Sequence, residues 1–379
     1  MEKTGLILEV GGATGGVASA TKTGIMKAFG ENRVGIGEIK RIRKKKKMAK
    51  LNGRSKATAL LAIIAVVAAA LSSGCGTDGP RNGGTSGGES SKSGTSGVVR
   101  VVSTVPSVTE TLFALGLGDS VVAASTYCQY PPEVADLPKI GSLFDINIEA
   151  IVELDPDFVV VLRENEELAQ RLTALGVETV SVDHSSLTGV LASFETLGAA
   201  VGGEAGAENG RKLRRETENR LDAIRASVAG RSKPSVLIAI DRTPGLGKIA
   251  DVFVAAQNPY FNEALEIVGA TNAAGELRGA APVVSPEGIA ALNPDVVVDL
   301  STDGVYVEGA EAEAKIAEKR AEWSTLGDGV KAVKTNKIYP ILDLYATVPG
   351  PRTVLFLEKL ADSIWPEREK TPVDGAKTR

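Results

Sequence analysis

The sequence predicts an α/β protein of two lobes with mainly parallel sheets, joined by one long α-helix, and three observations carry that prediction. First, "IEAIVELDPDFVVVL" at 148–162 returns as "PEGIAALNPDVVVDL" at 286–300, with Glu, Ile, Leu, Pro, Asp, Val, Val and Leu kept in register. Second, "SVTETLFALGLGDSVVAAS" at 107–125 and "PYFNEALEIVGATNAAG" at 259–275 both read as an amphipathic helix, a Gly stop and a short extended run. Third, a charged, helix-patterned stretch from Leu187 to about Ala229 separates the two halves. A chain of 379 residues also exceeds what one small core needs, and two domains is the natural expectation.

Taken in chain order, the front end reads as an address. Residues 1–47 precede "MAKLNGRSKATALLAIIAVVAAALSSGC" (48–75), in which a basic run is followed by fifteen uncharged residues, Ala57–Leu71, and then small residues. That is the export-signal pattern, and its apolar run falls short of the roughly 20 residues that span a bilayer. Met48 makes a better start than Met1, so 1–47 is expected to be a misassigned or disordered extension; its "VGGATGGVASA" lacks the GxGxxG spacing of a nucleotide site. Residues 76–97, "GTDGPRNGGTSGGESSKSGTSG", form a Gly/Ser linker without hydrophobic period.

The first lobe is expected over 98–186. It opens with the strand "VVRVVS" and continues through the helix at 107 to the repeated unit. In that unit Ile148, Ile151 and Leu154 make one apolar stripe, Asp155–Pro156 ends the helix, and "DFVVVL" follows as a buried parallel strand. "ENEELAQRLTALGVETVSV" adds a helix, a Gly stop and a strand. The connecting segment spans 187–232, and its second half, from about Ala205, makes a rod of roughly 35 Å at 1.5 Å per residue. The second lobe is expected over 233–366, from the strand "PSVLIAI" to the closing helix in "GPRTVLFLEKLADSIWP", with 367–379 a polar tail. The cleft between two such lobes is the default ligand site.

Charge excludes one class of partner. Residues 1–74 hold 14 Lys/Arg against 4 Asp/Glu; taken from totals of 43 and 47, this leaves the remainder with 29 basic and 43 acidic side chains, a net of −14. Such a body repels a phosphate backbone, so nucleic acid is not an expected partner.

At this point the residues carry a resemblance. "VVRVVSTVPSVTETLFALGLGDSVVAASTYCQYPPEVADLPKIGSLFDINIEAIVELDPDFVVV", "NPYFNEALEIVGATNA", "VSPEGIAALNPDVVVD" and "VPGPR" resemble the substrate-binding proteins of the cobalamin, haem and iron-siderophore ABC importers, over Val98 to Pro366. The resemblance implies two Rossmann-like lobes on a single helical connection, a ligand gripped between them, and delivery to an ABC permease and its ATPase. In that family an exposed carboxylate on each lobe meets Arg residues of the permease, and the matching positions are Glu149 and Glu287. A Glu in a helix's first turn is also favoured by the helix dipole, by about 0.3–1 kcal/mol, without any partner. "SSGC" resembles a lipobox, which implies a diacylglyceryl group on Cys75 and a membrane anchor, although Ser72 stands where that motif places an aliphatic residue.

For the ligand, loops at strand ends supply Tyr127, Tyr130, Phe144, Arg163, Tyr345 and Arg352, flat and hydrogen-bonding groups suited to a large planar or acidic molecule. The same Tyr residues beside Pro serve as turn packing elsewhere, and Arg352 can cap the last helix. Val348 stands where many relatives have Arg, and aromatic residues make up 4% of the chain, few for a corrinoid or haem pocket. His184 is the single His, so a multi-His metal site is excluded; as a loop residue it is open to contact with a ligand's cobalt or iron, or to a solvent-facing or turn role, and Asp183–His184–Ser185, being consecutive, cannot form a catalytic relay. Cys128, the only Cys besides Cys75, is expected to be a buried thiol.

The resulting expectation is an exported, lipid-anchored, monomeric binding protein without catalytic residues, resident metal or cofactor, whose ligand is first a cobalamin-type corrinoid and second a ferric siderophore or haem. The alternatives from other classes are a chelatase-like enzyme on a similar scaffold, or an adhesin or sensor using the same fold.

Overall fold

A computed structural model of the chain describes residues 98–142, 145–301 and 307–369. The extension, signal, Cys75 and linker expected before Val98, and the tail from residue 370, lie outside the described residues. Val99 and everything described after it belong to one compact unit.

The first lobe begins with β1 (Val101–Ser103), then α1 (Pro106–Ala114), started by Pro106 and closed at Gly116 in the left-handed region, then β2 (Val121–Ala124). A two-residue pair, β3 (Gly141–Ser142) and β4 (Asp145–Ile146), precedes α2 (Ile148–Glu153), β5 (Phe158–Leu162), α3 (Glu166–Ala174) and β6 (Thr179–Val182). The main strands form one sheet in the order β2-β1-β5-β6, parallel throughout. Both of its faces are covered. Val101 and Val160 pack with Val108 and Leu112 of α1, while Val102, Val159 and Val161 pack with Ile148 and Ile151 of α2 and Leu172 of α3. This two-sided burial is why the strands read as unbroken valine runs.

The connection, α4 (Leu187–Ser227), is 41 residues long by hydrogen bonding, but Gly203 sits inside it at φ 59°, ψ −144°. Only glycine occupies that region readily. The chain turns back there: a Cβ built on Gly198 would stand 2.1 Å from the Gly206 carbonyl oxygen, and one on Gly210 would stand 2.4 Å from that of Phe194. In an unbroken helix the second pair would be about 24 Å apart. The connection is therefore two antiparallel arms in backbone contact, a reversal the helix pattern alone does not reveal. Each arm touches both lobes. Leu187, Val190, Leu191 and Phe194 of the first arm, with Leu221 and Ile224 of the second, enter the second lobe's core, while Leu197 and Val201 enter the first's. Asn209 of the second arm donates to the Leu115 carbonyl at 3.2 Å, and Arg220 pairs with Glu358 at 2.9 Å.

The second lobe runs β7 (Ser235–Arg242), β8 (Val252–Val254), α5 (Pro259–Ile267), β9 (Thr271–Asn272), β10 (Val283–Val284), α6 (Pro286–Leu292), β11 (Val296–Asp299), α7 (Gly309–Ser324), α8 (Lys331–Lys334), β12 (Ile338–Pro340) and α9 (Thr353–Ile364). Its sheet has the order β10-β8-β7-β11-β12, with β9 also on β7. β11 is parallel to β7 and β12, but β8 is antiparallel to both β7 and β10. The short link from β7 to β8 is the physical reason: a parallel return needs a crossover of a dozen residues or more.

The repeated sentence now has an explanation position by position. Ile151 and Ile289 are fully buried, and the paired valines lie in central strands. Asp155 and Asn293, each before Pro, both have positive φ, 43° and 47°, where Asp and Asn are the best tolerated side chains after Gly. Asp157 accepts from the Arg100 N–H at 2.7 Å, and its counterpart Asp295 accepts from the Ser235 N–H at 2.9 Å, so each lobe fastens the start of its first strand with the same carboxylate.

Candidate ligand-binding site

Three of the expected ligand residues are brought together at the seam between the lobes. Tyr130 comes from the loop after β2 of the first lobe; Tyr345 lies on a short 3₁₀ turn (Leu344–Thr347) and Arg352 immediately precedes α9 with no side-chain cap to it, both in the second. The Arg352 guanidinium carbon lies 3.8 Å from the Tyr130 ring centroid and 5.4 Å from that of Tyr345, so the cation is flanked by two aromatic rings. Burial first, and then the nearby Asp343, push the Tyr345 hydroxyl's pKa upward.

The residue that completes this cluster was not among those expected. Glu110, on α1, accepts from Arg352 Nε at 2.8 Å and from Nη2 at 2.6 Å, a two-pronged ion pair across the seam. Its side chain is 3% exposed and that of Arg352 16%. Burial raises the Glu110 pKa, against the hydrogen bonds and charge of Arg352, which lower it. A signal for this residue exists in the chain: Glu110 is the only charged residue between Val101 and Gly118. A lone carboxylate in an otherwise uncharged helix marks a buried partner.

A second bridge lies beside the first. His184 is buried; its Nδ1 is 2.8 Å from Ser107 Oγ on α1, and its Nε2 is 2.8 Å from Ser193 Oγ on α4. Ser193 spends its proton on the Val190 carbonyl at 2.6 Å, so it accepts from Nε2–H and leaves Nδ1 to accept from Ser107. Both ring nitrogens are thus engaged by serines. Burial, opposed by the Asp183 charge, holds the imidazole pKa down at about 4. Tyr260 of α5 adds a hydrogen bond to Thr353 at 3.1 Å beneath the ion pair.

The other expected residues stand apart from this cluster. Arg163 is exposed and pairs with Asp183 at 3.2 Å; Asp183 is held below its usual pKa chiefly by hydrogen bonds from Ser185, with Arg163 contributing. Tyr127 is half-buried on the loop after β2, and Phe144 lies outside the described residues. Cys128 is a buried free thiol, bonded to the hydroxyls of Thr109 and Ser125. Among the described residues no group of three or more His, Cys, Asp or Glu is placed to hold a metal, and no helix is long and apolar enough to cross a membrane.

Glu149 and Glu287 occupy the same step in their two units. Each is exposed, two residues after the N-cap of its short helix, Asn147 for α2 and Ser285 for α6, whose side chains accept from the helix N–H groups. Hydrogen bonds from its own N–H and from Ser285 lower the Glu287 pKa.

Two other features compete for attention. A groove of about 450 Å³ beside α4 and α5 is lined by Leu187, Leu191, Glu218, Arg225, Glu263 and Ile267, and contains none of the expected ligand residues. At the ends of β7 and β11, Arg242, Asp299, Lys319 and Glu322 form a buried, charge-balanced network closed by the Trp323 indole, which donates to Asp299 at 2.8 Å. Within it, Asp299 stands where the first lobe's copy of the repeat has the apolar Val161.

Two α/β lobes on a paired-helix connection, meeting at an aromatic and arginine cluster, define a two-lobed binding protein. The chain belongs to the periplasmic binding protein family, whose profile matches residues 101–343. It is 32% identical over 271 residues to an uncharacterized ABC transporter substrate-binding lipoprotein of Bacillus subtilis, a match covering 70% of this chain and 80% of the relative. It is 25% identical over 258 residues to the vitamin B12-binding protein of Vibrio cholerae, covering 67% and 85%. Among solved structures, the periplasmic heme-binding protein of Roseiflexus sp. RS-1 aligns with a TM-score of 0.58 at 27% identity, over 71% of this chain and 99% of that one. The periplasmic vitamin B12-binding protein of Vibrio cholerae aligns with a TM-score of 0.59 at 24% identity, over 70% and 96%, which shows the shared fold.

Proposed function

We propose that this chain is the extracytoplasmic solute-binding protein of an ABC importer, and that it captures a cobalamin-type corrinoid at the seam and delivers it to a permease. The observation that carries the reading is the convergence of Tyr130 from one lobe with Tyr345 and Arg352 from the other. Two stacking surfaces around a directional cation suit a large, flat, hydrogen-bonding molecule. The names of the Bacillus subtilis and Vibrio cholerae relatives support both the transport role and the first choice of ligand. Tyr127, Arg163 and Phe144 complete the proposed ligand set, and the work is binding, not catalysis.

Glu149 and Glu287 are the proposed permease contacts. Ile, Asp and Val of the repeated unit are each accounted for by packing or by a hydrogen bond within their own lobe, whereas both Glu side chains face solvent. Cys75 is the proposed lipid attachment point, with 76–97 as the tether and the two lobes, 98–186 and 233–366, as the monomeric body on the connection 187–232. Mass spectrometry of the membrane fraction, reading the N-terminal residue and its acyl mass, checks the anchor. The Roseiflexus likeness favours haem as the second ligand. Calorimetric titration of the purified protein with cyanocobalamin, haem and a ferric hydroxamate decides among them; tightest binding is expected for the corrinoid, and haem or siderophore binding alone would displace it.

A further inference from the structure

Both arginines expected to meet the ligand are already matched by carboxylates of the chain itself. Arg163 has Asp183, and Arg352 has Glu110. The second pair is the informative one, because it is built into the seam. Glu110 projects from a helix packed on the first lobe's sheet, is 3% exposed, and meets the guanidinium through two parallel hydrogen bonds, while Tyr130 lies against the cation at 3.8 Å. An arginine between two aromatic rings is a ready carboxylate site. Here it is filled from within.

The geometry points to Glu110 as a specificity-determining residue: it occupies the Arg352 site with the chain's own carboxylate, so the seam selects ligands that bring no acidic group to that arginine. An incoming carboxylate has to displace Glu110, which then stands buried and unpaired, and breaking a buried pair in this way is strongly unfavourable. A ligand whose edge carries amides meets a neutral pair and leaves it intact. This inference rests on the seam being the ligand site, and it deepens that reading by naming the charge class the seam rejects.

Matched ligands test it. Haem and its dimethyl ester, and cyanocobalamin and the acid made by hydrolysing one of its side-chain amides, differ within each pair in acidic groups alone. The purified full chain is expected to bind each neutral member about tenfold or more tighter than its acid. Glu110→Gln, which keeps the side chain's shape, is expected to erase or reverse that preference, and Glu110→Gln with Arg352→Gln to leave neither member favoured. A merely structural role would weaken both members alike and leave the ratio unmoved. If none of the four binds, the ligand reading fails, and a ligand-free measurement still judges the arginine site. Glu110→Ala leaves room for a small carboxylate, so sodium formate, against sodium chloride at equal ionic strength, is expected to raise the thermal midpoint of Glu110→Ala but not of the wild type or of Glu110→Ala with Arg352→Gln. A wild-type preference for the acids, or no formate-specific effect on Glu110→Ala, overturns the assignment.

Discussion

Arg352 ties the two lobes together, and His184 ties the first lobe to the connecting α4. Removing the cation strands Glu110 in a dry setting, so Arg352→Ala is expected to destabilise the fold by about 3–5 kcal/mol in chemical denaturation. Burial already favours the protonated form of Glu110, so the loss should shrink as the solution is acidified through the carboxylate range. His184 gives a pH dependence of definite sign. Its folded pKa of about 4 lies below the ordinary value of 6.5, so between those values the unfolded chain binds a proton that the folded chain does not. Stability present above pH 6.5 is therefore lost as pH falls toward 4, by roughly 3 kcal/mol. Comparing the pH profile of unfolding free energy with that of His184→Gln isolates the effect, and equal slopes in the two proteins would remove it. The sequence shows His184 as a loop residue in "SVDHSSL" and gives no sign of its two serine partners, because Ser107 and Ser193 reach it from distant segments. Tyr130, Tyr345 and Arg352 are legible as aromatic and cationic groups near prolines. Their partner Glu110 leaves a trace as the only charge between Val101 and Gly118, but the distant cation it meets is set only when the helix is packed.

Among the elements, α4 depends on glycine in two distinct ways. Gly198 lets the two arms touch backbone to backbone, and Gly198→Ala puts a methyl 2.1 Å from the Gly206 carbonyl, which is expected to cost about 1–3 kcal/mol by forcing the arms apart. Gly203 faces open space, so Gly203→Ala acts through its backbone angles alone and should cost roughly 1–3 kcal/mol. Thermal denaturation of the two variants separates packing from strain, since a deletion that relaxes the arms would rescue only the first. The repeated helix-strand units carry the transport prediction. Glu149→Ala combined with Glu287→Ala is expected to leave ligand affinity unchanged and abolish uptake in vesicles reconstituted with the permease and its ATPase; normal uptake would refute the docking role. These units were readable because their strands are buried on both faces and their helices end at proline, two local rules that survive any tertiary context. The reversal at Gly203 was not, since glycines at 198, 202, 206 and 210 look like weak helix residues until the second arm lies against them. β8 escaped for a similar reason: a strand of three residues is too short to show a period.

At the scale of the whole molecule, the second arm of α4, Glu204–Ser227, is about 36 Å long, and the first arm runs alongside it. Two supports lying side by side resist both bending and twisting where one would resist bending alone. Small-angle scattering is accordingly expected to show little change in radius of gyration when ligand is added, unlike proteins that close about a flexible hinge. A large contraction would show that the arms slide or unwind. The two-lobed fold followed from the internal repeat, while β8, the mixed strand directions of the second sheet and the chemistry of the seam required the chain to be folded. If Glu149 and Glu287 are two prongs of a plug, this frame fixes their pitch. A socket in the membrane then feels the same spacing from a full carrier as from an empty one, and the news that cargo is aboard has to be read at the mouth, where Tyr130 and Tyr345 stand, instead of from the distance between the prongs.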